Sequence, residues 1–389
     1  MKNGNNIVYF IGGLLLLLTM RPYLTWGLSG NFAQIALVFP LAILFWLNYE
    51  MSKRNVLYLF VFALILLLAA ISQNRNLIGF FSMVILGAVP FATKKFMINV
   101  YDKYKTIYAI VVGISIFIWL LLFFGVEIPG KIITPLNTLK SYNYIAYPFL
   151  VIPNYVGAGL DVYFQSLRFC GPFDEPGVIG TVAGLMLYID HFNLKDKRNI
   201  AVLISGLLSL SLFFYVLSAI FVIYYLFSGG VKMTYKLFAF SIMVLLVFFS
   251  TQNAATRLLI WDRLEYDKSQ GAISGDNRAD SNLKSYFKSI RGTSQYWWGV
   301  DNKRQLANFS ESAGYRNAIM SNGAVVCIMY VVFFVLLAVG RIKSKWHILI
   351  FITLLLTTLY QRPGLFSISY IYLFSMYIVM HGKRGNVEL

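Results

Sequence analysis

NIAVLISGLLSLSLFFYVLSAIFVIYYLFS, residues 199–228, is an unbroken apolar stretch of 30 residues. As one straight helix it would be about 45 Å long, against a hydrocarbon core of about 30 Å. Ser205, Gly206, Ser209 and Ser211 interrupt it. The stretch is read as two short helices broken near Ser209–Ser211. Broken or re-entrant spans of this kind occur where backbone faces a cavity, not lipid. The alternative is one long tilted helix.

Working outward, similar runs lie near 7–20, 31–47, 56–71, 77–92, 107–125, 176–190, 234–250, 317–340, 346–360 and 364–380. With the break, the total is about twelve helices. The chain is 58% hydrophobic and only 13% charged, where soluble domains carry roughly 25% charge. These figures predict an all-α polytopic membrane protein, with residues 1–389 forming one integral-membrane domain.

The net charge is +17, yet the basic residues cluster in short connectors rather than on one face. That pattern fits the positive-inside rule and argues against nucleic acid as a partner. With a cytoplasmic N-terminus, Lys53, Arg54, Lys94, Lys95, Lys195, Lys197, Arg198, Lys232, Lys236, Arg341, Lys343, Lys345, Lys383 and Arg384 all fall inside. The short outer loops hold only Arg21, Arg75 and Arg362. Without the break, Lys232 and Lys236 move outside and the last third inverts. Both termini are therefore expected in the cytoplasm, and the first apolar run is read as a retained helix, not a cleaved signal. Cys170 and Cys327 make no disulfide scaffold and no paired metal motif.

Two long polar stretches, 126–175 and 251–316, are expected on the extracytoplasmic side. Loops of this length usually carry function. The first ends in RFCGPFDEPGVIG (168–180). Pro176 suits the first turn of the following helix, and Asp174 and Glu175 suit its positive N-terminal end. Helix capping is one reading of the two acids. The functional reading makes Glu175 a base and Arg168 an anion clamp.

The second loop contains GDNRADSNLKSYFKSI (275–290) and QYWWGVDN (295–302). Leu283, Phe287 and Ile290 recur at helical spacing. The plain expectation is an amphipathic helix lying on the membrane. The sharper one makes Arg278 a phosphate ligand, because a guanidinium fork binds phosphate through two bonds. Arg362, in QRPG, is the best placed of the three short-loop arginines. Tyr163, Trp297 and Trp298 are candidate sugar contacts among many interfacial aromatics. His191, His347 and His381 all fall at expected cytoplasmic helix ends, so none is available outside as a base. No metal motif, Walker loop or dinucleotide fingerprint is present, and no metal or cofactor is expected.

These residues resemble a known family. RFCGPFDEPGVIG is similar to the R-x-x-G-x-F-x-E-P-x-x-x-G pattern of Wzy-type O-antigen and capsular polysaccharide polymerases. GDNRADSNLKSYFKSI with WWGVDN resembles their later loop motif. SAGYRNAIMSNGAVVCIMYVVFF (312–334) resembles the helix after it, with Asn317 and Gly323 in matching places. The resemblance implies a GT-C-like membrane glycosyltransferase in the bacterial inner membrane. It implies polymerisation of undecaprenyl-pyrophosphate-linked oligosaccharides at the periplasmic face, with arginines such as Arg168 and Arg278 gripping the pyrophosphates. It also implies a chain-length regulator and a flippase as partners beside membrane lipid. The related O-antigen ligases place a histidine before the asparagine of SAGYRN. Arg316 stands there in this chain, which favours the polymerase. A transporter or flippase of lipid-linked oligosaccharide is the rival of another class.

Overall fold

A computed structural model of the protein describes residues 2–73, 77–135, 142–154, 168–227, 281–300, 314–362 and 366–382, with Gly364 and scattered positions between 232 and 273. The chain is mostly helical. Four helical stretches are long and apolar enough to cross a membrane: Gly30–Leu47, Lys53–Ser72, Lys94–Phe123 and Ala324–Arg341. Six shorter apolar helices accompany them among the described residues. The apolar run at 234–250 lies outside those residues. Two compact units divide the chain, one of Met1–Tyr108 with Arg278–Leu389, the other of Ala109–Asn277.

The first unit begins with α1 (Lys2–Thr19). It continues through α2 (Gly30–Ala33), a π-helical turn at Gln34–Val38, and α3 (Phe39–Leu47). Pro40 explains the turn: it offers no N–H to the preceding helix, and the ladder slips by one residue. Then come α4 (Lys53–Ser72), α5 (Leu77–Val84) with a 3-10 segment at Ile85–Phe91, and α6 (Lys94–Phe123), which contributes Lys94–Tyr108 here. α4 is apolar all round. Phe62, Ile65, Leu66 and Ala69 are buried, whereas Val56, Leu57, Phe60 and Leu64 point outward. A helix without a polar face suits lipid, not water.

One end of this unit is basic. Residues 48–55, 90–95, 341–347 and 381–382 meet there, through the bridges Tyr49↔Ala92 and Ile342↔Gly382. Arg341 ties the end together, donating to Pro90 O at 3.1 Å and to Asn55 Oδ1 at 2.8 Å. His347 and His381 stack with ring centroids 4.5 Å apart. Lys53 and Lys94 begin their helices, where a positive charge opposes the helix dipole. Helix stability therefore does not explain their placement, whereas a charge bias across a membrane does.

The second unit holds the rest of α6 and a three-stranded antiparallel sheet: β1 (Lys131–Ile133), β2 (Asn143–Tyr147) and β3 (Leu150–Asn154). Its register pairs Ile132 with Ile145 and Ile145 with Ile152. A second small sheet joins β4 (Tyr266–Asp267) to β5 (Ala272–Ile273). The long connectors thus carry strands, where the composition predicts helices alone. Between the sheets run α7 (Pro176–Ile189), α8 (Lys197–Leu208) and α9 (Leu212–Phe227). The break read from the sequence is there: α8 stops at Leu208, Leu210 takes φ +45°, and α9 starts at Leu212. Cys170 and Cys327 are free thiols.

Candidate functional site

The RFCGPFDEPG stretch is built onto the break between α8 and α9. Phe169 N–H bonds Leu208 O at 3.1 Å. Arg168 donates from Nε to Ser209 O at 3.3 Å and from Nη2 to Leu210 O at 3.2 Å. The carbonyls at a helix end have no partner within their own helix, and a cation there is favoured by the dipole. Arg168 thus gains a positional role that the sequence does not reveal.

Further along, Gly171 O accepts from Val151 of β3 at 2.8 Å, and Asp174 O accepts from the Tyr144 hydroxyl at 2.5 Å. Phe169, Cys170 and Phe173 are fully buried, whereas Asp174 and Glu175 are half-buried. Burial holds the Tyr144 hydroxyl well above its ordinary pKa, with Tyr142 adding to the effect, so it stays a donor. Glu175 is the N-cap residue of α7, yet its side chain makes no cap hydrogen bond to that helix. Glu175 thus occupies the capping position of α7, where negative charge is favoured, without the capping hydrogen bond.

Gly180 of α7 packs against the break itself. A Cβ there would lie 2.5 Å from Ser211 Cβ. Ser205, Ser209 and Ser211 are buried. The break is closely packed at these residues.

In the first unit the amphipathic helix of the second loop is present as α10 (Ser281–Ser289). The Leu283, Phe287 and Ile290 face is buried, but against protein: it joins Val300 and Met320 in a small core, flanked by Tyr296, Tyr315 and Ile319. The expected docking on lipid gives way to this packing. α11 (Ser294–Trp298) follows, and Gly299 leads Val300 N–H to Met320 O at 2.8 Å. Met320 belongs to α12 (Tyr315–Asn322). Gly323, with φ +84°, then opens α13 (Ala324–Arg341). A Cβ at Gly323 would lie 2.5 Å from Trp297 O. The glycine is needed both for its backbone angle and for this close approach. Trp297 and Trp298 stand exposed on α11.

The last two helices are α14 (Lys345–Gln361) and α15 (Ile368–His381). Arg362 is buried, with its N–H on Thr358 O at 2.7 Å. Arg278, Tyr163 and Arg75 lie outside the described residues.

The first unit also contains a cavity of about 420 Å³, at the end where α1, α4, α12 and α14 finish. Arg21, Gln34, Gln73, Ser82, Ser321 and Asn322 supply most of its polar lining. Gln73 donates to Asn322 Oδ1, and Asn322 donates to Ala318 O at 2.8 Å. Arg21 adopts φ +59° and donates from Nη2 to Leu28 O at 3.3 Å. Its carbonyl accepts from the Trp26 indole at 3.0 Å. Burial lowers the pKa of the Arg21 guanidinium, though an arginine remains charged. The buried Arg21 Nε and Gln34 Oε1 have no hydrogen-bond partner among the described residues.

Sequence reasoning ranks Arg362 above Arg21, whereas the cavity is lined by Arg21 and not by Arg362. Gln34, Gln73 and Asn322 go unnoticed in the sequence. The available signal is weak: an amide inside or at the edge of an apolar run, as in FAQIAL and IMSNG. No family model matches the chain, and no characterised protein or solved structure matches it either.

Proposed function

We propose that the protein is a metal-independent membrane glycosyltransferase that polymerises undecaprenyl-pyrophosphate-linked oligosaccharide repeat units. In this reading about twelve helices of a GT-C-like body span the bacterial inner membrane. The basic helix ends face the cytoplasm, and the two long connectors face the periplasm. The observation that carries the reading is the RFCGPFDEPG turn. Strand β3, Tyr144 and the α8–α9 break fix its backbone, while Glu175 is half-buried and its carboxylate does not cap α7.

The reaction follows from those residues. A hydroxyl oxygen of the incoming repeat unit attacks the anomeric carbon of the growing chain. The bond from that carbon to the pyrophosphate oxygen breaks, and the lipid pyrophosphate leaves with the electron pair. Glu175 accepts the hydroxyl proton. A carboxylate within reach of the attacking hydroxyl is suited to this as a general base. The leaving pyrophosphate carries charge that a guanidinium neutralises. Arg168 holds the turn through Ser209 and Leu210, with one edge of its fork already engaged. Direct displacement inverts the anomeric centre. Trp297 and Trp298 offer exposed aromatic faces to sugar rings.

The test is purified protein with a synthetic lipid-linked repeat unit, resolved by size. A ladder of products supports the polymerase. One transfer product on a different lipid acceptor assigns a ligase, and movement of the substrate across the bilayer without product assigns a carrier.

A further inference from the structure

The cavity beside Arg21 has a definite chemical bias. Among the described residues of its lining, Arg21 is the only basic one and none is acidic. The Arg21 guanidinium is half-buried, and its hydrogen bond goes to a backbone carbonyl, Leu28 O. A partly desolvated cation with no carboxylate opposite it calls for an anion. The rest of the polar lining is neutral: amides from Gln34, Gln73 and Asn322, and hydroxyls from Ser82 and Ser321. Such groups both donate and accept, which suits a ligand rich in hydroxyls. The volume of about 420 Å³ falls within the range of small-molecule sites, about 300–1,000 Å³.

Two backbone features sharpen this. Arg21 holds a left-handed conformation at φ +59°, which a side-chain-bearing residue adopts at some cost. Gln34 opens the π-helical turn, and such turns often place functional side chains. Arg21 Nε and Gln34 Oε1 are buried without hydrogen-bond partners among the described residues. A ligand that turns either side chain into the cavity relieves that cost.

The single cation among the described lining residues selects among anions. A diphosphate carries at least two negative charges and would draw on more than one cation. A neutral hexose would leave the guanidinium without a counter-ion. We propose that this cavity binds a carboxylated sugar, its single carboxylate on Arg21 and its hydroxyls on the amides of Gln34, Gln73 and Asn322. This rests on the glycosyltransferase reading for the choice of a sugar, and it names an acidic monosaccharide as a unit of the substrate.

The experiment is saturation-transfer NMR on the full-length protein in zwitterionic nanodiscs, with glucuronate, glucose and inorganic phosphate as separate probes. The expected result is glucuronate binding at least tenfold tighter than glucose, with phosphate unable to displace it. Arg21→Gln should bring glucuronate down to the level of glucose. Arg21→Gly should do the same while keeping the wild-type melting temperature, since glycine accepts the backbone angle. Equal binding of glucose and glucuronate overturns the proposal. So does displacement of glucuronate by phosphate, which would make this a phosphate site, or unchanged binding in both variants. A product ladder without glucuronate binding sinks this inference alone. Glucuronate binding without any glycosyl transfer sinks the polymerase reading alone.

Discussion

Two arginines stand beside a left-handed break at the end of an apolar helix, and they do opposite things. Arg168 lies next to Leu210, whose φ is +45°, and turns its guanidinium onto the carbonyls of Ser209 and Leu210. Arg21 is itself the left-handed residue, at φ +59°, and lines a cavity with one nitrogen buried and without a partner. The first closes a helix end with its charge. The second closes a helix end with its backbone and leaves its charge to the cavity. An arginine at a membrane helix end is therefore informative only once the acceptors around it are counted.

Sharpest of the tests on this contrast is Glu175→Gln. The turn that Arg168 anchors exists, in the proposed function, to present this carboxylate. General-base catalysis contributes roughly 10²–10⁴-fold, so the product ladder should shrink by at least about a hundredfold with the melting temperature unchanged. Wild-type polymerisation in this variant would leave the Arg168 turn with a structural role only.

Next comes Gly323→Ala, on the cavity side of the comparison. Asn322 lines the cavity, and Gly323 directly follows it at φ +84°, against Trp297 O. The backbone angles, φ +84° with ψ +148°, are essentially restricted to glycine and cost an alanine about 1–3 kcal/mol, and the overlap adds about 1–3 kcal/mol because the opposing atom is backbone. A sum of about 3 kcal/mol should appear as a clear fall in thermal midpoint. An unchanged midpoint would mean that α11 does not pack on this glycine.

Much of the fold is legible in the sequence because lipid imposes one simple rule on side chains. Most of the apolar runs are helices near their expected limits, though the one at 107–125 belongs to a helix that begins at Lys94 and the one at 317–340 is divided at Gly323, and the serines at 209–211 mark the break. The helix face of Leu283, Phe287 and Ile290 is legible as well, but its partner is not. Periodicity tells which residues are buried and says nothing of what buries them, and here it is Val300 and Met320, not lipid. The small sheets escape notice because strands of two to five residues in the long loops have no periodic signature. The candidate site divides the same way. Glu175 is found through its motif. Arg21 and its amides are not, because a cavity depends on which helix ends meet.

Arg168→Ala tests the structural half of the contrast directly. Two carbonyls lose a charged donor, at about 1–3 kcal/mol each if fully buried. Arg168 is only half-buried, so water recovers part of that, and a loss of about 2 kcal/mol is expected. Arg168→Lys should recover little, since an ammonium cannot reproduce two donors in a fixed fork. If Arg168→Ala melts like wild type and loses only turnover, Arg168 belongs with the substrate and the contrast collapses.

The smallest effect belongs to Arg21→Gly, and its sign is what matters. Removing a residue from a helix end normally costs stability. Here glycine relieves the left-handed angle, worth about 1–2 kcal/mol, against which stand the lost contact to Leu28 O and the greater freedom of glycine in the unfolded chain. These nearly cancel, so a thermal midpoint within a degree or two of wild type is expected. A large fall would show that the Arg21 guanidinium supports the fold as Arg168 does, and the two helix ends would then be alike. A stable variant would leave the side chain with no structural reason to be an arginine, since serving the backbone alone is something glycine does better.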